Sequence, residues 1–195
     1  PSPRRHALDG ICAEAGARLV RGSLASVDAG AAVATTAAGE RIAFDDLVVA
    51  VGARGRAAFG SGLTFHGLED AEAVHGLVQD VEIGAVDSVA FVVPAGVTWP
   101  LPLYELALLL AERARGMGVE PAISLVTPED RPLGVFGRQA SAAVAELLHD
   151  AGVVVHAAVH VRDVERGALL GMDGRPMLRA ARVVTLPVLE GPAVA

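Results

Sequence analysis

The chain has 195 residues, of which 52% are hydrophobic, and its formal net charge is −7. A chain of this length and composition can bury a core as one large or two small domains. The negative charge argues against nucleic acid or an acidic membrane surface as a partner. The only cysteine, Cys12, excludes an intramolecular disulfide and a Cys-x-x-Cys pair, and it indicates a reducing, cytoplasmic location.

The sequence shows no membrane span and no signal peptide. No apolar run reaches the roughly 18 residues of a membrane span, and the longest candidate, residues 103–110, is interrupted by Glu105. The first residues contain two arginines but no apolar stretch behind them. The chain begins without Met, and both of its ends are typical of a piece taken from a longer protein, which is what we expect it to be.

The first half predicts one helix, a meander and a buried strand. Residues 8–16 favour a short helix, and residues 18–21 a short strand. Three alternating runs separated by turns predict an antiparallel meander over residues 22–27, 31–35 and 41–44. Residues 46–51, Asp-Leu-Val-Val-Ala-Val, predict a buried strand that ends at Gly52.

A loop and a helix follow this strand. Residues 53–62 are small and predict a loop. Residues 68–81 predict a helix whose apolar face is formed by Leu68, Ala71, Val74, His75 and Val78.

The second half has the pattern of a parallel α/β sheet. Strand 89–93, helix 103–115, strand 122–126, helix 139–150 and strand 153–156 alternate along the chain. Residues 159–164, 168–172 and 182–186 then predict a hairpin and a return strand. The order indicates a parallel sheet with an antiparallel cover, and its first strand–loop–helix resembles the opening of a nucleotide-binding unit.

The loop of that opening lacks the features that bind a dinucleotide. Residues 94–100 read Pro-Ala-Gly-Val-Thr-Trp-Pro, with one glycine where the G-x-G-x-x-G pattern has three. Pro94, Pro100 and Pro102 have no N–H to offer a phosphate, and Trp99 adds bulk. The pattern therefore predicts a Rossmann scaffold with a degenerate phosphate loop and argues against NAD(P) binding.

Few side chains suggest chemistry of their own. Glu129 follows the second strand, where an acidic residue would hold a ribose hydroxyl, but it also fits a solvated Thr-Pro-Glu-Asp turn. Tyr104 and Glu105 start a helix, where a carboxylate offsets the helix dipole. The six histidines show no metal-binding spacing on a helix. We therefore expect neither a metal site nor a catalytic residue in this chain.

Two stretches resemble a known superfamily. Residues 39–53, Gly-Glu-Arg-Ile-Ala-Phe-Asp-Asp-Leu-Val-Val-Ala-Val-Gly-Ala, and residues 68–73, Leu-Glu-Asp-Ala-Glu-Ala, resemble the FAD-dependent pyridine nucleotide–disulfide oxidoreductases. The segment at 93–105 and the stretch at 126–137, of the pattern V-T-P-E-x-x-P-L-x-x-F-G, resemble the branch of sulfide:quinone reductases and flavocytochrome sulfide dehydrogenases.

The resemblance implies a domain plan. Residues 1–86 would form part of an FAD domain with its antiparallel meander. Residues 87–186 would form a Rossmann-like, three-layer second domain, in which a parallel sheet carries the β-meander as its cover. Residues 187–195 would return toward the FAD domain, whose N-terminal G-x-G-x-x-G segment this chain lacks.

The resemblance also implies a cofactor and its contacts. The full-length protein would bind FAD, with Ala50, Val51 and Gly52 at the rim of the flavin site, although Val51 replaces the usual Thr. This chain alone would hold no FAD and would be inactive. The degenerate NAD(P)-binding position would comprise Pro94, Ala95, Gly96 and Glu129.

Partners and alternative functions follow from the same observations. The missing FAD domain would be the main partner, and the uncovered strand at 46–51 makes a homodimer possible. One alternative is a non-catalytic docking or dimerisation module that buries its 97–103 loop against a partner. The other is an NAD(P)H-binding domain that uses an atypical loop around Gly96 together with Glu129.

Overall fold

The computed structural model describes residues 6–194. By internal contacts they divide into two units, residues 6–53 with 191–194, and Arg54–Glu190. The domain boundaries expected after residues 86 and 186 refer to the domains of the superfamily, and they stay a prediction.

The first unit contains the predicted helix and meander. The helix is α1 (Leu8–Glu14), and three antiparallel strands follow in the spatial order β1 (Leu24–Asp28), β2 (Val33–Thr36) and β3 (Arg41–Ala43). The turn between β1 and β2 is fixed because the Asp28 carboxylate accepts a 2.8 Å hydrogen bond from the Ala31 N–H. The meander read from the alternating runs is confirmed.

Two strands predicted in this unit are absent. Residues 18–21 and 46–51 form no strand, and the second segment is exposed instead of buried, with Val48 90% and Val49 54% accessible. A strand needs a hydrogen-bonded neighbour, and within residues 6–194 no strand pairs with either segment. The prediction of a buried strand at 46–51 was therefore wrong for this chain, although the run is apolar enough to form one.

The second unit is built on a parallel sheet. Its strands are β4 (Arg54–Arg56), β5 (Leu63–Thr64), β6 (Ser88–Val92), β7 (Ala122–Val126), β8 (Val154–His156), β9 (Val161–Glu165), β10 (Ala168–Gly171), β11 (Pro176–Arg179), β12 (Arg182–Thr185) and β13 (Val188–Glu190). Its helices are α2 (Ala71–Glu82), α3 (Leu101–Met117) and α4 (Arg138–Asp150), with 3₁₀ turns at Leu68–Asp70 and Gly134–Phe136. Five parallel strands lie in the order β5-β12-β6-β7-β8.

Two antiparallel sheets complete the unit. Strands β9 and β10 form the predicted hairpin of the antiparallel cover, and β11, at residues with no predicted strand, completes it. Strand β13 pairs with β4. The β4–β13 pair corrects the prediction of a loop over residues 53–62. Residues 54–56 read Arg-Gly-Arg, and they become a strand because the returning segment at 188–190 supplies their hydrogen-bonding partner.

Strand β6 lies at the centre of the three layers. Its residues alternate between faces, so Val89 and Phe91 pack in the cluster that includes the helices, while Ala90 and Val92 pack against the antiparallel cover. All four are at most 2% exposed. The structure thus confirms the α/β fold with its antiparallel cover.

The buried face of α2 differs from the predicted one. Leu77 and Val81 are buried, and Val78 packs beside them, whereas Leu68 is 96% exposed. Leu68 belongs to the 3₁₀ turn, whose three-residue period breaks the phase of the α-helix.

Within residues 6–194, no helix is both long and apolar enough to cross a membrane.

Candidate functional site

A cleft lies at the carboxyl ends of β6 and β7. These parallel neighbours end in register, with Val92 opposite Val126, so the loops that follow them meet at one edge of the sheet. Ligands of open α/β sheets bind at this edge. The cleft has a volume of about 480 Å³ and is lined by Val97, Thr98, Pro100, Glu129, Asp130, Arg131, Gly134 and Val135.

The loop after β6 is a tight turn followed by a bulky segment. The Val97 N–H donates a 3.3 Å hydrogen bond to the Pro94 carbonyl, and Gly96 has a φ of +82°. Trp99 packs edge-on against Phe136, with 5.3 Å between the ring centroids and 84° between the planes. Pro94, Ala95 and Gly96, predicted as part of the degenerate NAD(P)-binding position, therefore precede the loop residues that line the cleft.

The N-terminus of α3 offers few hydrogen-bond donors. Pro100 is its N-cap and Pro102 its second residue, and neither has an N–H. The Leu103 N–H already donates to the Pro100 carbonyl at 3.0 Å. Of the four N–H groups that a helix start normally presents, only that of Leu101 remains for a ligand.

Glu129 is held by two hydroxyl groups. The Tyr104 hydroxyl donates to Oε2 of Glu129 at 2.7 Å, and the Thr127 hydroxyl donates to the same oxygen at 3.0 Å. The Glu129 N–H in turn donates to Thr127 Oγ1 at 3.2 Å. Tyr104 is 1% and Thr127 0% exposed, so the carboxylate is fixed from the buried side.

This arrangement limits what Glu129 can bind. Two donors use both lone pairs of Oε2, so only Oε1 is left to accept from a ligand. Burial raises the pKa of the Tyr104 phenol, and the hydrogen bond to the Glu129 carboxylate raises this pKa further, so Tyr104 stays a donor.

Sequence reasoning placed Glu129 at this edge but missed Tyr104 and Thr127 as its partners. Tyr104 was considered only with Glu105, which is exposed and makes no side-chain hydrogen bond among the described residues. The fold itself could have indicated this contact. In such a fold the helix that follows β6 packs near the end of β7, which brings the first turn of α3 close to residues 127–129.

The predicted rim of the flavin site lies in the first unit. Ala50, Val51 and Gly52 are exposed at the end of the apolar segment. Gly52 has a φ of +76°, and no heavy atom lies within 4 Å of the position that a Cβ would take. Its peptide is therefore accessible without a side chain in the way.

One group of potential metal ligands occurs within residues 6–194. Single atoms of His66, Glu69 and Asp70 lie within 4.8 Å of one another. Asp70 Oδ2 accepts a 2.6 Å hydrogen bond from the His66 N–H and lies 3.2 Å from His66 Nδ1. The backbone hydrogen bond is the main cause that lowers the pKa of Asp70. These bonds account for the closeness of His66 and Asp70 without a metal ion, and Glu69 is their exposed neighbour in the 3₁₀ turn.

Solved structures share the fold. A sulfide:quinone oxidoreductase from Aquifex aeolicus aligns with a TM-score of 0.67 at 22% identity over 89% of this chain and 43% of its own. A ferredoxin reductase from Rhodopseudomonas palustris aligns with a TM-score of 0.55 at 19% identity over 93% of this chain and 44% of its own. NDH2 from Plasmodium falciparum, solved in complex with NADH, aligns with a TM-score of 0.59 at 14% identity over 90% of this chain and 42% of its own.

These likenesses establish the architecture, and the sequence establishes the family. The chain spans about two fifths of the length of the solved structures it matches. No curated protein matches it by sequence. The sequence profile of the pyridine nucleotide-disulphide oxidoreductases, however, matches residues 13–185. The chain therefore belongs to the pyridine nucleotide-disulphide oxidoreductase family.

Proposed function

We propose that this chain is part of an FAD-dependent oxidoreductase in which the flavin transfers the electrons. The family match over residues 13–185 carries the proposal. When bound, a flavin supplies the hydride and electron chemistry, while the protein supplies binding and orientation. This chain would contribute a Rossmann-like domain and one rim of the flavin site, and it would be inactive alone.

The residues at the proposed rim fit a flavin contact. Gly52 offers a bare, accessible peptide with open space on its Cα. The adjacent exposed apolar side chains, Val49 and Val51, suit contact with a ring system or with a covering domain. Ala50, Val51 and Gly52 would thus help to position the flavin and to exclude water from one side of it.

We further propose that the second domain does not bind NAD(P) through the usual phosphate loop. A pyrophosphate needs several N–H donors at the helix start, and α3 offers only that of Leu101. Glu129 has one free carboxylate oxygen, because Tyr104 and Thr127 occupy the other. Both observations support a Rossmann-like domain that has kept its fold but does not bind a dinucleotide.

Calorimetric titration of the chain with NADH and NADPH tests the loop. We expect no binding in the micromolar range. A variant with Pro100→Ser and Pro102→Ala regains two N–H donors and a capping hydroxyl without adding a negative charge, and it should bind NADH more tightly than the unmodified chain. Micromolar binding by the unmodified chain would overturn this proposal and favour the NAD(P)H-binding alternative with its atypical loop.

Flavin content tests the rim. The protein purified with its native flanking sequence should show the absorption bands of bound FAD, and residues 1–195 alone should not. In the flavin-bearing protein, Gly52→Val should lower the flavin content, while Gly39→Val is the matched control. Gly39 also has a positive φ, +85°, and open space, but it lies in a meander turn. A protein without flavin bands would overturn the proposal and favour the docking module.

Partners and location complete the proposal. The exposed apolar residues 47–51 would be covered by the FAD domain or, in the isolated chain, by a second copy. Sedimentation measures this directly, and a strictly monomeric chain at all concentrations would contradict the homodimer. The cytoplasmic location predicted from the single cysteine remains part of this proposal.

A further inference from the structure

A second cleft lies at the opposite edge of the parallel sheet. It has a volume of about 580 Å³ and opens between α2 and the β9–β10 hairpin, beside β5 and the start of β12. Residues of β12 that line it include Arg182 and Val183, at the amino end of that strand. This cleft is therefore separate from the one beside Glu129, which lies at the carboxyl ends of β6 and β7.

The cleft has an apolar floor and an open side. Leu63, Leu77 and Val183 contribute apolar surface. On α2 the lining residues Ala73 and Gly76 have little or no side chain, and no heavy atom lies within 4 Å of a Cβ built on Gly76. Leu77 and Val183 are only 7% and 4% exposed and form the bottom of the cleft, while Leu63 is half-buried. The small residues at the two helical positions leave this apolar bottom open toward solvent.

Charged groups lie around this apolar surface. Arg182 forms an ion pair with Asp80, with 3.1 Å between Nη2 and Oδ2. Arg166 also lines the cleft, and within residues 6–194 no carboxylate lies within ion-pair distance of it. The cleft therefore carries one surplus positive charge, in a chain whose net charge is −7.

The backbone does not explain why arginine occupies position 166. Arg166 and Gly167 form the two-residue loop between the paired residues Glu165 and Ala168, with φ values of +47° and +77°. Two consecutive positive φ values define the type I′ hairpin turn, whose first position favours Asn, Asp or Gly. The turn therefore does not select the arginine, whose side chain lines the cleft.

We propose that this cleft binds a small amphipathic carboxylate, whose apolar body lies on Leu63, Leu77 and Val183 and whose carboxylate pairs with Arg166. A guanidinium matches a carboxylate with two parallel hydrogen bonds. An apolar pocket with a few placed polar groups is the usual form of a small-molecule site. The site is independent of the flavin and of the proposed oxidoreductase function.

Octanoate serves as the probe, since it combines an eight-carbon body with a carboxylate. Titration of the full chain, followed by amide chemical shifts, should move the resonances of residues around 61–63, 73–80 and 166–167. Octanol lacks the charge, and acetate lacks the apolar body, so each should bind at least about tenfold more weakly than octanoate.

Two substitutions test the site without endangering the fold. Arg166→Asn removes the charge and places a residue that the turn prefers, and it should weaken octanoate binding at least about tenfold. Gly76→Leu improves the helix and fills open space, and it should block binding. Arg179→Gln, at an exposed arginine of β11 outside the lining, should leave the affinity unchanged.

The outcomes separate clearly. Octanoate binding that both Arg166→Asn and Gly76→Leu weaken, and Arg179→Gln does not, supports the site. Absence of shift changes, equal affinity for octanol, or full affinity in the Arg166→Asn variant would overturn it. None of these results depends on flavin content, so a failure here is distinguishable from a failure of the proposed function.

Discussion

Two apolar runs of nearly the same composition have opposite environments in this protein. Residues 46–51, Asp-Leu-Val-Val-Ala-Val, belong to no strand and are exposed, whereas residues 88–93, Ser-Val-Ala-Phe-Val-Val, contain the central strand and are mostly buried. Val48 is 90% exposed, and Val89 is 1% exposed. Composition therefore does not decide which run is buried.

The difference lies in the neighbours of each run. Strand β6 has β12 on one side and β7 on the other, with helices above it and the antiparallel cover below. Within residues 6–194, no strand pairs with residues 46–51. A strand is thus a property of a sheet, and an apolar run becomes one only where backbone partners exist.

Substitution in each run tests this comparison with the largest expected effect. Phe91→Ala removes a ring that is 2% exposed at the centre of the helix-side core, so it should cost about 3–5 kcal/mol in the free energy of unfolding. Val48→Ala removes an exposed side chain and should change that free energy by less than about 0.5 kcal/mol. Urea unfolding followed by circular dichroism measures both values.

A large cost of Val48→Ala would break the comparison. It would mean that residues 46–51 are covered in solution, and the effect should then grow with protein concentration if a second copy supplies the cover. The single tryptophan, Trp99, reports on the second unit alone, so its fluorescence shows which unit each substitution affects.

Most of the fold could be predicted from the sequence where the pattern is local. The strand at 122–126 is predicted with its observed bounds because an apolar run ends at a Thr-Pro-Glu-Asp turn. Helix α4 is predicted with one residue of difference because periodicity and the glycines at 137 and 152 mark it. The β4–β13 pair and the exposure of residues 46–51 depend on partners far away in the chain. No local pattern contains that information.

The features of the candidate site also divide into those that follow from local sequence and those that depend on distant residues. The turn at Gly96 and the missing donors of Pro100 and Pro102 follow directly from residue types. The bond from Tyr104 to Glu129 joins residues 25 positions apart, so it needed the three-dimensional structure. The FAD rim at Gly52 stays a prediction that rests on the family.

The buried polar cluster extends the comparison from apolar to polar groups. Tyr104→Phe leaves the Glu129 carboxylate without one of its donors, so we expect a loss of about 1–3 kcal/mol in the free energy of unfolding. The corresponding change at an exposed hydroxyl would cost far less. Thermal or urea unfolding at neutral pH gives the value, and Thr127→Val serves as the parallel test of the second donor.

The pH dependence of this effect has a defined sign. Burial raises the pKa of Tyr104 above its ordinary value of about 10, so the folded state keeps a proton that the unfolded state releases. The stabilisation is complete below pH 10 and is lost as the pH rises through the folded pKa. Because Tyr104 is the only tyrosine, phenolate absorbance reports it directly. Titration of the folded chain near pH 10 would contradict the buried bond.

The glycines that follow the two runs provide the smallest and sharpest test. Gly52 has a φ of +76° and Gly96 a φ of +82°, and open space surrounds the Cα of both. Alanine at either position should cost about 1 kcal/mol of unfolding free energy through backbone strain alone. Gly76→Ala, in a helix, should have the opposite sign and stabilise the protein. Equal costs at Gly52 and Gly96 would show that backbone strain is local and independent of burial. A clearly larger cost at Gly52 would mean that the exposed run is covered in solution, and the comparison between the two runs would then fail.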